Sequence, residues 1–261
     1  MGLVSGPRWL YGGLPGAADF LLFGFHYAGT GAAATYGEWP RKIGAGLLCP
    51  VQPPGRDNRI AELPVRTHRQ FAELLAPVLL PLLDRPYGLA GHCGAVPYLM
   101  ETVFRLGELG APPPRALFAS AWGPPQHGPY GRLNIEPLSD IDPLAEVQAA
   151  AQVRFGFTLQ PDIAEIAAES LLTDLEVQRT HSYHGEPRLP ARTLVIGWEQ
   201  DSVVPPAVVG DPRWAECGDV DHHVLPGDHW EYLRGPSRLF DLIVTEMTRD
   251  GADREHTNGR V

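Results

Sequence analysis

Tyr87-Gly88-Leu89-Ala90-Gly91-His92-Cys93-Gly94-Ala95 reads as a short apolar strand entering a tight turn, with a thiol at the apex and a helix behind it. The helix shows in Val96, Leu99, Met100, Val103, Phe104 and Leu106, apolar at spacings that keep them on one face. Pro97 falls in its first turn, where the missing N–H removes a bond that the helix could not have made. A strand–nucleophile–helix turn lifts one side chain above a sheet and aims a helix N-terminus at it. Here cysteine stands where the G-x-S-x-G pattern has serine, and Ala95 replaces its last glycine. A buried cysteine at a strand end is also an ordinary small hydrophobe. The partners of Cys93 therefore decide between packing and chemistry.

Upstream, Phe20–Phe25 is a continuous apolar run, the mark of a strand buried on both faces, and it ends in the glycine-bearing loop His26–Gly31. Leu47–Val51 predicts the next strand, followed by the turn-rich segment Pro53–Arg59. Residues 67–83 carry Phe71, Leu74, Leu75, Val78, Leu79 and Leu82 on one helical face, with Pro77 and Pro81 predicting a kink or a split. Downstream, Ala116–Trp122 predicts another buried strand. From 123 to 190 the alternation stops: Asp142-Pro143 reads as an N-cap and first helical position, and helices are expected near 143–155, 162–172 and 174–183. Strand character returns at Thr193–Trp198 and His222–Leu225, and a last helix from Pro236 carries Leu239, Phe240, Ile243, Val244 and Met247. The expected organisation is a loose Gly- and Pro-rich segment over 1–18, a core over 19–122 and 191–249, a helical lid over 123–190, and a polar tail over 250–261. Strands alternating with helices predict an α/β fold, a mostly parallel central sheet flanked by helices.

A chain of 261 residues can build one large core, and a hydrophobic content of 44% is ordinary for a globular enzyme. No apolar run is long enough to span a membrane, and the start lacks the pattern of a signal peptide. Cys49, Cys93 and Cys217 are too few and too scattered for a disulfide framework or a metal site, which fits a reducing cytoplasm. A net charge of −10 without a basic stripe argues against nucleic acid.

In such a sheet, ligands gather at the C-terminal strand ends. Read in order, those ends give Cys93, then Asp201, then His229, the nucleophile–acid–base order of α/β-hydrolases. His229 would take the thiol proton or hold a thiolate–imidazolium pair, and Asp201 would fix its tautomer. Glu199 and Asp228 compete for the acid role, although adjacency to His229 turns the Asp228 side chain away. The oxyanion would be met by the backbone N–H of Gly94 and by that of Tyr27 or Ala28. His92 reads as packing. His26 is a pocket candidate beside the loop, with a structural role as its competitor. Trp122, Trp198 and Trp230, at or near strand ends, are candidate pocket walls, with ordinary core as the alternative. Leu144, Val147, Phe155, Phe157, Ile163 and Ile166 would give the lid an apolar underside.

With these residues in place, residues 20–245 resemble the stand-alone type II thioesterases of polyketide and nonribosomal peptide pathways. The likeness rests on Leu22–Gly29, where that family has a Phe-Pro-x-Ala-Gly loop, on Val51–Arg59, on Gly91-His92-Cys93, on Gly197–Asp201 and on Pro226–His229. It implies an α/β-hydrolase fold with a helical lid, and a substrate acyl group carried on the phosphopantetheine of an acyl or peptidyl carrier protein. No bound cofactor, no metal and no membrane partner are expected, and a monomer is the expected state. Cysteine replaces the family's serine, Ala95 its glycine and His26 its loop proline. A cysteine elbow resembles the aminoacyl shuttles of nonribosomal pathways. Three functions follow as expectations: carrier-to-carrier transfer through an acyl-cysteine, editing hydrolysis, and a carrier-binding module without catalysis.

Overall fold

The computed structural model describes residues 6–249, so the expected tail over 250–261 and the first five residues lie outside the described region. In chain order the elements are β1 (Leu21–Gly24), α1 (Ala32–Tyr36), β2 (Lys42–Ile43), β3 (Gly46–Pro50), α2 (His68–Leu79), β4 (Tyr87–His92), α3 (Ala95–Glu108), β5 (Ala116–Ser120), α4 (Arg132–Ile135), α5 (Pro143–Phe155), α6 (Pro161–Thr180), β6 (Thr193–Trp198), α7 (Pro206–Val209), β7 (Val220–Leu225), α8 (Glu231–Arg234) and α9 (Ser237–Thr248). The seven strands lie in the order β2-β3-β1-β4-β5-β6-β7. All neighbours are parallel except the short edge pair β2–β3.

The burial of each strand follows its place. β1, β4, β5 and β6 are buried at every position, as continuous apolar runs covered by helices should be. β7 is an edge strand and alternates between half-buried and exposed residues, which accounts for its polar Asp221-His222-His223. Because β4 sits in the middle of the sheet, the turn that follows it opens at the centre of the C-terminal edge.

Two features differ from the sequence reading. The segment before β1 is anchored: Trp9 is 2% exposed, meets Phe71 edge-on at 5.5 Å and carries the Arg59 guanidinium 4.5 Å above its ring. Leu10 pairs with Val51 as a β-bridge. An isolated Trp-Leu pair in Gly- and Pro-rich sequence has no periodicity to reveal it. The two helices expected at 162–172 and 174–183 are one helix, α6, of 20 residues. The helix over 67–83 does divide, with Pro77 inside α2, which ends at Leu79, and Pro81 in a separate 3₁₀ turn at Leu80–Leu82. Between β5 and β6 the helical insert packs its own small core from Ile141, Val147, Ala164, Ala168, Leu171 and Leu175, separate from the main core around the sheet.

Candidate active site

Cys93 stands between β4 and α3 with φ +54°, in the left-handed region that a side chain adopts only at a cost. Its N–H donates to the Ser120 carbonyl at 2.8 Å and its carbonyl accepts from Val96 at 3.0 Å, so the turn is fixed on both sides. A Cβ on Gly91 would lie 3.1 Å from the Ala95 backbone and 3.3 Å from its methyl. The glycine before the apex thus makes room for alanine after it.

Asp201 follows β6. Its Oδ1 accepts from the Val203 and Val204 N–H groups, both at 2.8 Å, which leaves Oδ2 directed at His229 Nδ1, 2.8 Å away. His229 leaves β7 through a turn at Gly227, φ +128°, whose N–H is held by Gln200 Oε1 at 2.9 Å while Gln200 N–H bonds the Gly227 carbonyl. The two loops carrying acid and base are therefore tied to each other. Burial lowers the His229 pKa, but the Asp201 hydrogen bond and then the hydrogen bond and charge of Cys93 carry it up to about 9. Asp201 and His229 are thus paired directly, and they and Cys93 are each buried. Asp228 accepts from Trp230 N–H at 2.9 Å and from Arg234, facing away from the ring, and Glu199 is exposed. Of the three carboxylates, Asp201 is the one that pairs with His229.

Tyr27 corrects the sequence reading. Its N–H donates to the Thr35 hydroxyl at 3.0 Å and is not free to meet a substrate oxygen. Its side chain, which the sequence reading did not consider, reaches the base: the phenol oxygen lies 3.3 Å from His229 Nε2. Burial, then the charges of Cys93 and Asp201, push that phenol well above its ordinary pKa, so it faces the imidazole as a neutral hydroxyl. Among the described residues, the N–H groups of Ala28 and Gly94 have no protein acceptor.

A cavity of about 780 Å³ opens beside Cys93, Tyr27 and Ala28, within the range of small-molecule sites. Val147, Phe155, Ile163 and Ile166 line it; Leu144 and Phe157, also expected on the underside, are exposed and outside it. Of the four pocket candidates only Trp230 is part of this lining. Trp122 borders a different cavity of about 190 Å³ with Gln178 and His181. Trp198 is core, donating its Nε1 to Ser120 on the neighbouring strand at 3.0 Å. His26 lies behind the loop against Tyr98 and Phe71, 3.7 Å from Asp174, where burial lowers its pKa although the Asp174 contact opposes the shift. Strand-end position alone could not tell these side chains apart, because it does not say to which side each one turns. His92 is packing, bonded to Ser120 at 2.8 Å and stacked on Tyr232.

The seven-stranded, mostly parallel sheet with flanking helices and a helical insert defines an α/β-hydrolase fold. Residues 20–246 match the sequence profile of the thioesterase domain, and the chain belongs to that family. It is 31% identical over 249 residues to linear gramicidin dehydrogenase LgrE of Brevibacillus parabrevis, covering 94% of each chain. It is 26% identical over 237 residues to the gramicidin S biosynthesis protein GrsT of Aneurinibacillus migulanus, covering 88% of this chain and 90% of that one. Among solved structures it is similar to RedJ, a thioesterase from the prodiginine biosynthetic pathway in Streptomyces coelicolor, with a TM-score of 0.73 at 28% identity over 88% of this chain and 91% of that one. No helix among the described residues is long and apolar enough to cross a membrane.

Proposed function

We propose that this thioesterase-family chain transfers acyl groups between carrier proteins through an acyl-Cys93 intermediate. The observations that support the reading are a thiol at a strained elbow that lines the large cavity and a buried imidazole that a buried carboxylate holds at 2.8 Å. The Cys93 sulfur, its proton already held by His229 as a thiolate–imidazolium pair, attacks the thioester carbonyl on a phosphopantetheine arm. The carbonyl oxygen gathers negative charge against the Gly94 and Ala28 N–H groups. Collapse breaks the carbon–sulfur bond to pantetheine, and His229 returns the proton to the departing thiolate. In the second half an acceptor thiol or amine gives its proton to His229, takes the acyl group and releases Cys93. The helical insert acts as a lid over the acyl group and limits access of water.

Thioester exchanges for thioester in the first half, so the step is nearly balanced in free energy and a second carrier thiol can draw the acyl group onward. A serine would form a lower-energy oxyester, from which return to a thiol is uphill and water is the natural acceptor. The names of the relatives, GrsT and LgrE in gramicidin pathways and RedJ in a prodiginine pathway, support a carrier-bound substrate in natural-product assembly. Membership of the thioesterase family favours a second reading, release of the acyl group to water.

One assay separates these. The protein is incubated with an acylated carrier and a second, unloaded carrier, and both carriers and free acid are followed. Acyl group on the second carrier supports transfer; free acid alone supports hydrolysis. Product at background level in wild type and unchanged in Cys93→Ala would leave only a carrier-binding role. Cys93→Ser is expected to retain some hydrolysis and lose most transfer, and transfer at full rate in that variant would refute the thioester argument.

A further inference from the structure

Helix α6 of the insert touches the nucleophile's surroundings twice, one helical turn apart. Asp174 Oδ2 accepts the Gly29 N–H at 2.7 Å, and Gln178 Nε2 donates to the Gly94 carbonyl. Gly29 follows Ala28 directly, and Gly94 carries the other free amide. Both contacts are glycines where the helix comes close: a Cβ would lie 3.2 Å from Leu171 at Gly29 and 3.0 Å from Gln178 at Gly94. Asp174 is 1% exposed and Gln178 2%. Arg56 braces the first contact, with Nη2 2.5 Å from Asp174 Oδ1 and Nη1 3.1 Å from the Thr30 carbonyl. Burial raises the Asp174 pKa, but the Arg56 charge and the His26 hydrogen bond outweigh it and hold the carboxylate ionised.

We propose that Asp174 and Gln178 are positioning residues that set the spacing of the Ala28 and Gly94 amides, with one turn of α6 as the gauge. Side chains four residues apart on a helix stand one above the other, so the two grips move together and cannot drift independently. Ile163, Ile166, Ala167, Ser170 and Leu171 of the same helix line the large cavity. An acyl chain seated against them bears on the element that holds both amides, so that occupancy of the cavity is read out in the rate of the chemical step. This inference rests on the acyl-Cys93 reading and deepens it.

The test compares two reactions of the same thiol in wild type, Gln178→Met and Asp174→Asn. Acylation by a carrier-bound thioester develops an oxyanion; alkylation of Cys93 by iodoacetamide does not. The expected result is a fall in the acylation kcat of about 10- to 100-fold in each variant, as for a misplacement of the order of 1 Å. KM should change less than about threefold and the alkylation rate less than about twofold. Equal losses in both reactions, or an unchanged kcat in folded Gln178→Met, would overturn the proposal. Wild type that forms no acyl-enzyme with any thioester would instead overturn the reading beneath it, and the two failures are thereby distinct.

Discussion

The site has two halves that were assembled by different means. The sheet half, carrying Cys93, Asp201 and His229, is built from strand ends whose positions follow from local rules: an apolar run, a glycine turn, a capped loop. The insert half is built from side chains that reach across the chain, with Asp174 meeting Arg56 and Gly29, and Gln178 meeting Gly94. The sheet half rests on a continuous main core, whereas the insert keeps a small core of its own, joins the main core through Val177, Tyr183 and Leu189, and adds these buried polar bonds. A hydrophobic core tolerates small adjustments, while a buried charge pair losing one member leaves the other uncompensated. Chemistry is therefore expected to fail at the sheet, and registration at the insert.

The largest effect should come from the sheet half. Cys93→Ala is expected to lower acyl-enzyme formation by at least about 10³-fold in single-turnover assays. Asp201→Asn, which leaves the His229 tautomer unfixed, should cost about 10²- to 10⁴-fold in kcat, with little change in melting temperature above about pH 9, where His229 is neutral. In the insert half the loss of rate should be smaller and the loss of stability larger. Asp174→Ala strands Arg56 in a buried site and is expected to destabilise the fold by about 3 kcal/mol in denaturant unfolding. Equal sensitivity of stability to Asp201→Asn and Asp174→Ala would erase the contrast.

A pH series sharpens it further. The His229 pKa rises from 6.5 to about 9 on folding. A raised histidine pKa stabilises fully below the unfolded value and progressively less as pH climbs through the folded one. The melting temperature of wild type should therefore fall between about pH 6.5 and pH 9 relative to that of His229→Gln. A constant difference across that window would contradict the shift. The smallest effect is expected at the surface, where Arg69 pairs with Glu108 at 2.8 Å and Glu73 at 3.1 Å. Exposed pairs contribute little, so Arg69→Ala should change stability by less than about 1 kcal/mol.

The same division marks what could be read from the residues alone. The elbow, the order of Cys93, Asp201 and His229, and the parallel sheet were legible because each depends on periodicity or on position at a strand end. The 20-residue length of α6, the anchoring of Trp9 and the burial of Asp174 were not. A charged residue at helical spacing looks the same whether it faces water or an arginine from another element. The Tyr27 side chain escaped notice for a related reason, since its contact with His229 spans 202 residues. Trp122 and Trp198 share the strand-end placement of the true lining residues, yet they turn into other surroundings.

The central claim is that the acyl group rests on the Cys93 sulfur. Rapid-quench intact-mass measurement after mixing with an acyl-loaded carrier tests it most directly. Wild type should gain the mass of the acyl group on the peptide containing Cys93 before product accumulates, and Cys93→Ala should gain none. Product formed at the wild-type rate without that adduct, or an adduct that persists in Cys93→Ala, would contradict the account.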